Sequence, residues 1–72
     1  MEELKMGTLT GVLKNIDKKY FTLEMKIKNQ MVERRLHLDN NHSWEQFNIS
    51  EGDTITVQLH PIEQNAVVKI EK

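Results

Sequence analysis

The chain has 72 residues, of which 10 are Lys or Arg and 11 are Asp or Glu, and it contains no cysteine. This length predicts one domain, residues 1–72, whose small core buries only about 60% of the unfolded surface. The near-zero charge balance argues against strong nonspecific binding to phosphates. The lack of cysteine excludes a disulfide framework and a thiolate metal site. Because no apolar run reaches membrane-span length and no signal-peptide core is visible, we expect a cytoplasmic protein.

The first predicted strand covers residues 6–16 and follows a start, residues 1–5, that we expect to be frayed. Its apolar residues lie on both faces: one parity holds Leu9 and Leu13, and the other holds Val12 and Ile16. Gly11 lies where this phase changes, and glycine inside a strand is typical of a bulge or a sharp bend. We therefore expect a bend at Gly11, followed by a turn at residues 17–19.

The longest alternating segment, residues 19–39, predicts a β-hairpin with one apolar and one polar face. Asn29-Gln30 is the turn-tolerant break, and a two-residue loop there sets the register. A loop longer by a residue or two is the alternative, because Gln30 is a poor residue for a tight primed turn. The polar pairs in that register are Lys28–Met31, Lys26–Glu33, Glu24–Arg35 and Thr22–His37. The apolar pairs are Ile27–Val32, Leu23–Leu36 and Phe21–Leu38. Arg34 is the exception, because it falls opposite Met25 on the apolar face.

A short helical turn is predicted at residues 44–48, where Ser43 and Gln46 have the spacing of a capping box. Trp44 and Phe47 lie three residues apart and therefore on one side of this turn. We expect them to close one end of a barrel, because a small domain needs its large apolar side chains in the core. The alternative is that both are exposed and anchor a protein partner, since Trp is a favoured hot-spot residue.

Two further strands follow. Residues 54–60 alternate after a turn at residues 51–53, and Pro61 ends this strand because proline cannot donate to the ladder. A turn at residues 63–65 leads into a last strand, residues 66–70. The residues predicted to point inward from these two strands are Ile55, Val57, Leu59, Val68 and Ile70.

The predicted order is three strands, a short helical turn and two strands, which is the order of an all-β, five-stranded OB-fold-like barrel. Strands this short also need closure to avoid exposed edges. An SH3-like small barrel is the alternative, but its helical turn normally lies nearer the end, before the last strand. The OB-fold order is therefore favoured.

Several stretches resemble the S1-like branch of OB-folds and, within it, bacterial translation initiation factor one. These are Met6-Gly7-Thr8, YFTLE at residues 20–24, His37, and ISEGDTITVQLHP at residues 49–61. The resemblance implies an OB-fold that binds RNA. The family usually has a basic segment after the third strand, whereas residues 40–46 of this chain contain no lysine or arginine.

The outward face of strands two and three is the candidate site for nucleic acid. OB-folds commonly bind single strands there, with aromatic rings stacking on bases and basic residues following the phosphates. The candidate residues are Tyr20, Lys26, Lys28, Arg35 and His37. The plainer alternative is a solvated face whose cations are neutralised by Glu24 and Glu33. Because this face has one aromatic ring, the leading hypothesis is a module that binds RNA or single-stranded DNA weakly.

The sequence gives little indication of metal binding, cofactor binding or catalysis. His37, His42 and His60 lack the short spacing of a metal site, so neither a metal nor a cofactor is expected. No nucleophile motif, phosphate-binding glycine loop or carboxylate constellation is present, so we expect no enzyme. The alternative function is a protein-interaction module or an accessory or regulatory subunit, possibly of phage or plasmid type, that uses Trp44 and Phe47 or a strand edge. A monomer is favoured over a homodimer.

Overall fold

A computed structural model describes residues 7–63 and 65–72. The predicted frayed start, residues 1–5, lies outside the described residues, as do Met6 and Gln64. In chain order the described elements are β1 (Thr8–Asp17), β2 (Tyr20–Ile27), β3 (Gln30–Leu38), a 3-10 turn η1 (Trp44–Gln46), β4 (Thr54–Leu59) and β5 (Ala66–Glu71). Every predicted element is present, with bounds that differ by at most two residues.

The strands close into a barrel in the order β1-β2-β3-β5-β4. Neighbouring strands are antiparallel except β3 and β5, which are parallel and pair at His37 with Ala66 and at Leu38 with Val67. Because η1 lies between β3 and β4, this is the OB-fold arrangement and not the SH3-like alternative. No helix among the described residues is long and apolar enough to span a membrane.

The core is built from the inward-facing residues of all five strands, as the alternating patterns predict. The buried apolar residues are Leu13, Phe21, Leu23, Met25, Leu36, Leu38, Ile55, Val57, Leu59, Ala66, Val67 and Ile70. The inward position predicted for Val68 is wrong. The pairing of β4 with β5 shifts between Gln58 and Leu59, so β5 carries one extra residue and Val67 takes the buried position.

The turn of the β2–β3 hairpin lies one residue earlier than predicted. β2 ends at Ile27 and β3 begins at Gln30, so Lys28 and Asn29 form the two-residue loop. Both have positive φ, 51° and 66°, as a type I′ turn requires, and the twist of that turn matches the twist of the strands. The predicted turn at Asn29-Gln30 is wrong because Gln30 is already part of β3.

The earlier turn moves the pairing of β2 with β3 by two residues. The observed pairs are Tyr20–His37, Phe21–Leu36, Thr22–Arg35, Leu23–Arg34, Glu24–Glu33, Met25–Val32, Lys26–Met31 and Ile27–Gln30. None of the predicted pairs forms, including the two charge pairs Lys26–Glu33 and Glu24–Arg35. A shift of two still leaves every side chain on its predicted face, because side chains alternate with a period of two.

Strand β1 changes its neighbour at Val12. Residues 8–12 pair with β4, and β1 then continues alongside β2 to Asp17. The register with β4 is regular through Gly11, and the irregularity of β1 lies at Asn15, whose φ is 52°. The phase change predicted at Gly11 therefore lies elsewhere, while the bend at Gly11 stays a prediction. A bulge at Asn15, not at Gly11, changes the phase and brings Ile16 against the core.

Replacing Asn29 with glycine is expected to raise the free energy of unfolding by about 0.5–1 kcal/mol, because positive φ strains most residues but not glycine. Gln30→Gly is the matched control and is expected to lower that free energy, because glycine weakens a strand. Urea denaturation of both variants checks the turn. A stabilising Gln30→Gly variant with a destabilising Asn29→Gly variant would contradict the observed register.

Candidate nucleic-acid interface

Three of the five predicted site residues form one cluster on the outer face of β2 and β3. Tyr20 lies directly opposite His37, with 5.4 Å between their ring centroids. The guanidinium carbon of Arg35 lies 5.8 Å from the centroid of the Tyr20 ring, within the range of a cation–π contact. The Tyr20 side chain is 52% exposed. The cluster therefore offers an aromatic surface with a cation and an imidazole beside it.

Two hydrogen bonds hold Arg35 in this position. Its Nη1 donates to the backbone oxygen of Asn15 and to Thr22 Oγ1, each at 3.3 Å. Thr22 lies opposite Arg35 and is buried, and Asn15 is the bulge residue of β1. The bulge of β1 and the observed register of the hairpin thus place two hydrogen-bond acceptors, Asn15 O and Thr22 Oγ1, next to the guanidinium. An arginine held in this way loses less conformational entropy when it meets an anion.

The imidazole of His37 is oriented by its own strand. Its Nδ1 lies 3.2 Å from the backbone oxygen of Leu38, and because a carbonyl oxygen accepts, this contact assigns the proton of the neutral ring to Nδ1. Nε2 is then the acceptor of that ring. The cluster consequently combines a stacking surface, a fixed cation and an imidazole acceptor.

Lys26 and Lys28 lie apart from this cluster. Lys26 is six residues from Tyr20 along β2, roughly 20 Å at about 3.4 Å per residue, and Lys28 is in the hairpin turn. Glu24 and Glu33 lie between them and the cluster, directly opposite each other. Two carboxylates in this arrangement repel each other and also disfavour a phosphate. The predicted site is thus divided by an acidic pair.

The acidic pair is partly neutralised from β1. Lys14 Nζ lies 2.8 Å from Glu24 Oε1. The hydrogen bond to Glu24 and the charge of that residue raise the pKa of Lys14, and the charge of Glu33 adds to the effect. Sequence reasoning missed this contact because it depends on how β1 pairs with β2 and on the bulge at Asn15. Lys14 therefore partly neutralises the Glu24–Glu33 pair, and its own charge is already paired with Glu24.

The residues proposed as a partner anchor pack against the barrel. Trp44 is half-buried, its ring meets Phe21 edge-on at 5.3 Å, and its Nε1 donates to the backbone oxygen of Lys18 at 2.5 Å. Phe47 is also half-buried, and both residues pack against the core. The backbone N–H of Ser43 donates to the side-chain oxygen of the predicted capping residue at 2.9 Å. These contacts agree with the barrel-end interpretation of Trp44 and Phe47.

The loop between β3 and η1 is held by the carboxylate of Asp39. His42 Nδ1 and the backbone N–H of Asn41 both contact Asp39 Oδ1. The hydrogen bond from His42 lowers the pKa of Asp39 despite partial burial of the carboxylate. The His42 ring also stacks on Phe47 at 6.0 Å. Residues 40–46 of this loop contain no lysine or arginine.

Trp44 is expected to fluoresce with a blue-shifted maximum and to be only partly accessible to acrylamide, because its ring lies on Phe21 and its N–H is hydrogen bonded. It is the one tryptophan of the chain, so the signal is unambiguous. Emission at the maximum of free indole, with full quenching, would contradict this packing. It would favour the anchor interpretation instead.

The histidines are not grouped as a metal site would require. His60 Nδ1 accepts from the backbone N–H groups of Ile62 and Glu63, at 3.0 and 3.1 Å, so it orders the β4–β5 loop. Among residues 7–63 and 65–72, no three His, Cys, Asp or Glu side chains are placed to hold a metal ion together. Each histidine instead has a local contact.

Comparisons with known proteins show no family for this chain. The S1-like resemblance therefore stays a prediction from the sequence. No protein-family model, no curated protein and no solved structure matches this chain.

Proposed function

We propose that this barrel is a non-enzymatic module that binds single-stranded nucleic acid, RNA or DNA, through the outer face of β2 and β3. The observation that carries the proposal is the cluster of Tyr20, Arg35 and His37. An exposed ring with a neighbouring cation matches how OB-folds combine base stacking with phosphate binding. We place this activity in the cytoplasm, in keeping with a chain that has no cysteine.

One base stacks on Tyr20 in this proposal, and Arg35 pairs with an adjacent phosphate. A stacked base contributes about 1–3 kcal/mol, so a single ring supports weak binding. The N–H groups of Arg35 that are not used by Asn15 and Thr22 supply the phosphate contact. His37 contributes its Nε2 acceptor to a base edge or a sugar hydroxyl, which every nucleotide offers in some form.

Lys26 and Lys28 are outer contacts in this proposal. A strand that follows β2 from Tyr20 toward the hairpin turn must pass Glu24 and Glu33 before it reaches them. Their contribution is therefore long-range attraction to phosphates, which salt screens. The strongest binding is expected at the Tyr20 end of the face.

Arg35→Glu is expected to weaken binding to oligouridine and oligothymidine of about 12 nucleotides, within the roughly 4–16 that an OB-fold covers. It also removes a phosphate contact, so the negative slope of log K against log salt is expected to become less steep by about 0.7. Lys28→Glu makes the same charge change outside the cluster and is expected to have a smaller effect. Fluorescence anisotropy at several salt concentrations measures both.

The melting temperatures of both variants serve as the control for folding. Equal losses of affinity in Arg35→Glu and Lys28→Glu would mean that the face attracts nucleic acid without a defined site. Unchanged affinity in Arg35→Glu would overturn the site assignment. A double variant, Lys28→Glu with Arg35→Glu, is expected to abolish measurable binding.

A further inference from the structure

The first half of β3 has an open edge. β3 pairs with β5 only at His37 and Leu38, so no described strand lies beside residues 30–36 on that side. The backbone N–H of His37 donates to Asn65 O and that of Asp39 to Val67 O, both toward β5. Backbone groups alternate between the two sides of a strand. The N–H and C=O groups of residues 31, 33 and 35 therefore point to the open edge.

Two exposed apolar side chains lie on this edge: Met31 is 59% exposed and Val32 38%. Ile27, 46% exposed, lies in β2 at the same end of the hairpin, opposite Gln30. Proteins usually protect an open edge with charge, proline or a covering loop, because an exposed apolar edge recruits another strand. Residues 30–32 carry no charge, whereas Glu33, Arg34 and Arg35 follow them, so residues 30–32 are the part of the edge that favours a strand partner.

We propose that the partner is a second copy of this chain, with the two β3 edges paired antiparallel about a two-fold axis through Val32. A two-fold axis normal to the sheet keeps the outer face of one copy next to the outer face of the other. Paired residues must lie on the same face, so in each possible register one residue lies opposite the same residue of the second copy. An axis at Glu33 or Arg34 would oppose like charges, which destabilises a pair. An axis at Met31 would pair only three residues of each strand, because β3 begins at Gln30.

The axis at Val32 avoids both problems. It pairs residues 30–34 of each copy, with Val32 opposite Val32, Met31 opposite Glu33 and Gln30 opposite Arg34. No like charges lie directly opposite each other, and the Val32 side chains of the two copies come together. The two outer faces also join into one surface, which presents two Tyr20 clusters to a single strand if the proposed function holds. The dimer itself does not depend on that function.

Single cysteines test this register, because the chain has no other cysteine. In the proposed pairing Val32 forms a non-hydrogen-bonded pair with a Cα separation of about 4.5 Å, within the roughly 4.4–6.8 Å that a disulfide spans. Val32→Cys is therefore expected to form a covalent dimer under mild oxidation. Glu33→Cys and Arg34→Cys are expected to stay mainly monomeric on a non-reducing gel.

Sedimentation of the unmodified chain is expected to show a dimer that dissociates on dilution. Val32→Lys places two cations on the axis and is expected to abolish the dimer. Ile62→Lys makes the same change at an exposed residue outside the hairpin and is expected to leave it intact. A chain that stays monomeric at all soluble concentrations, a dimer unaffected by Val32→Lys, or preferred cross-linking through Glu33→Cys or Arg34→Cys would overturn the proposal.

Discussion

Gly11→Ala is expected to destabilise the barrel by about 3 kcal/mol or more. A Cβ atom at this position would lie far inside van der Waals contact with the backbone oxygen of Glu24, and 2.9 Å from Met25 Cγ. A backbone oxygen cannot rotate away as a side chain can, so β1 and β2 must separate where β1 changes its neighbour. Overpacking typically costs about 1–3 kcal/mol, and a backbone clash belongs at or above the upper end.

The total stability sets the consequence of this substitution. At roughly 0.05–0.15 kcal/mol per residue, a chain of 72 residues has a total free energy of unfolding of about 4–11 kcal/mol. Gly7→Ala is the matched control, because its Cβ would approach only the side chain of Leu59, at 3.2 Å from Cδ1. Urea denaturation of both variants measures the difference. Equal, small effects would contradict the close approach of β1 and β2 at Gly11.

Tyr20→Ala is expected to lower the affinity for single-stranded oligonucleotides roughly 5- to 150-fold. Loss of one stacked base removes about 1–3 kcal/mol, and each 1.4 kcal/mol is about tenfold in the dissociation constant. The fold should remain, because Tyr20 is half exposed and lies outside the buried core. Anisotropy titration and a thermal melt measure the two effects separately.

Tyr20→Phe is the matched control, because it keeps the ring and removes only the hydroxyl. It is expected to retain most of the affinity if stacking dominates. An unchanged affinity in Tyr20→Ala would remove Tyr20 from the site. Equal losses in the two variants would assign the contact to the hydroxyl and not to the ring.

The alternating patterns predicted the strands but not their registers. A shift of two residues between β2 and β3 leaves the apolar and polar faces unchanged, so hydrophobicity alone cannot choose between the two registers. Lys28 is also not a residue that marks a turn, yet it takes positive φ beside Asn29. The sequence also does not show which of the adjacent Val67 and Val68 is buried, because the β-bulge in β5 places Val67 in the core.

The sequence predicts which face of the sheet holds the candidate residues, but not which of those residues lie together. Tyr20, Arg35 and His37 were correctly assigned to the outer face, but the predicted register put His37 opposite Thr22. The observed register puts His37 opposite Tyr20 and brings the two rings together. The support of Arg35 from Asn15 was beyond sequence reasoning, because it depends on the bulge in β1.

The most direct test of the proposed function is an NMR titration of the isotope-labelled protein with short oligouridine and oligothymidine, at low and then moderate salt. We expect amide shifts that are largest at Tyr20, Arg35 and His37, smaller toward Lys26 and Lys28, and weaker as salt rises. No shifts at low salt would contradict the proposed function and favour a protein partner.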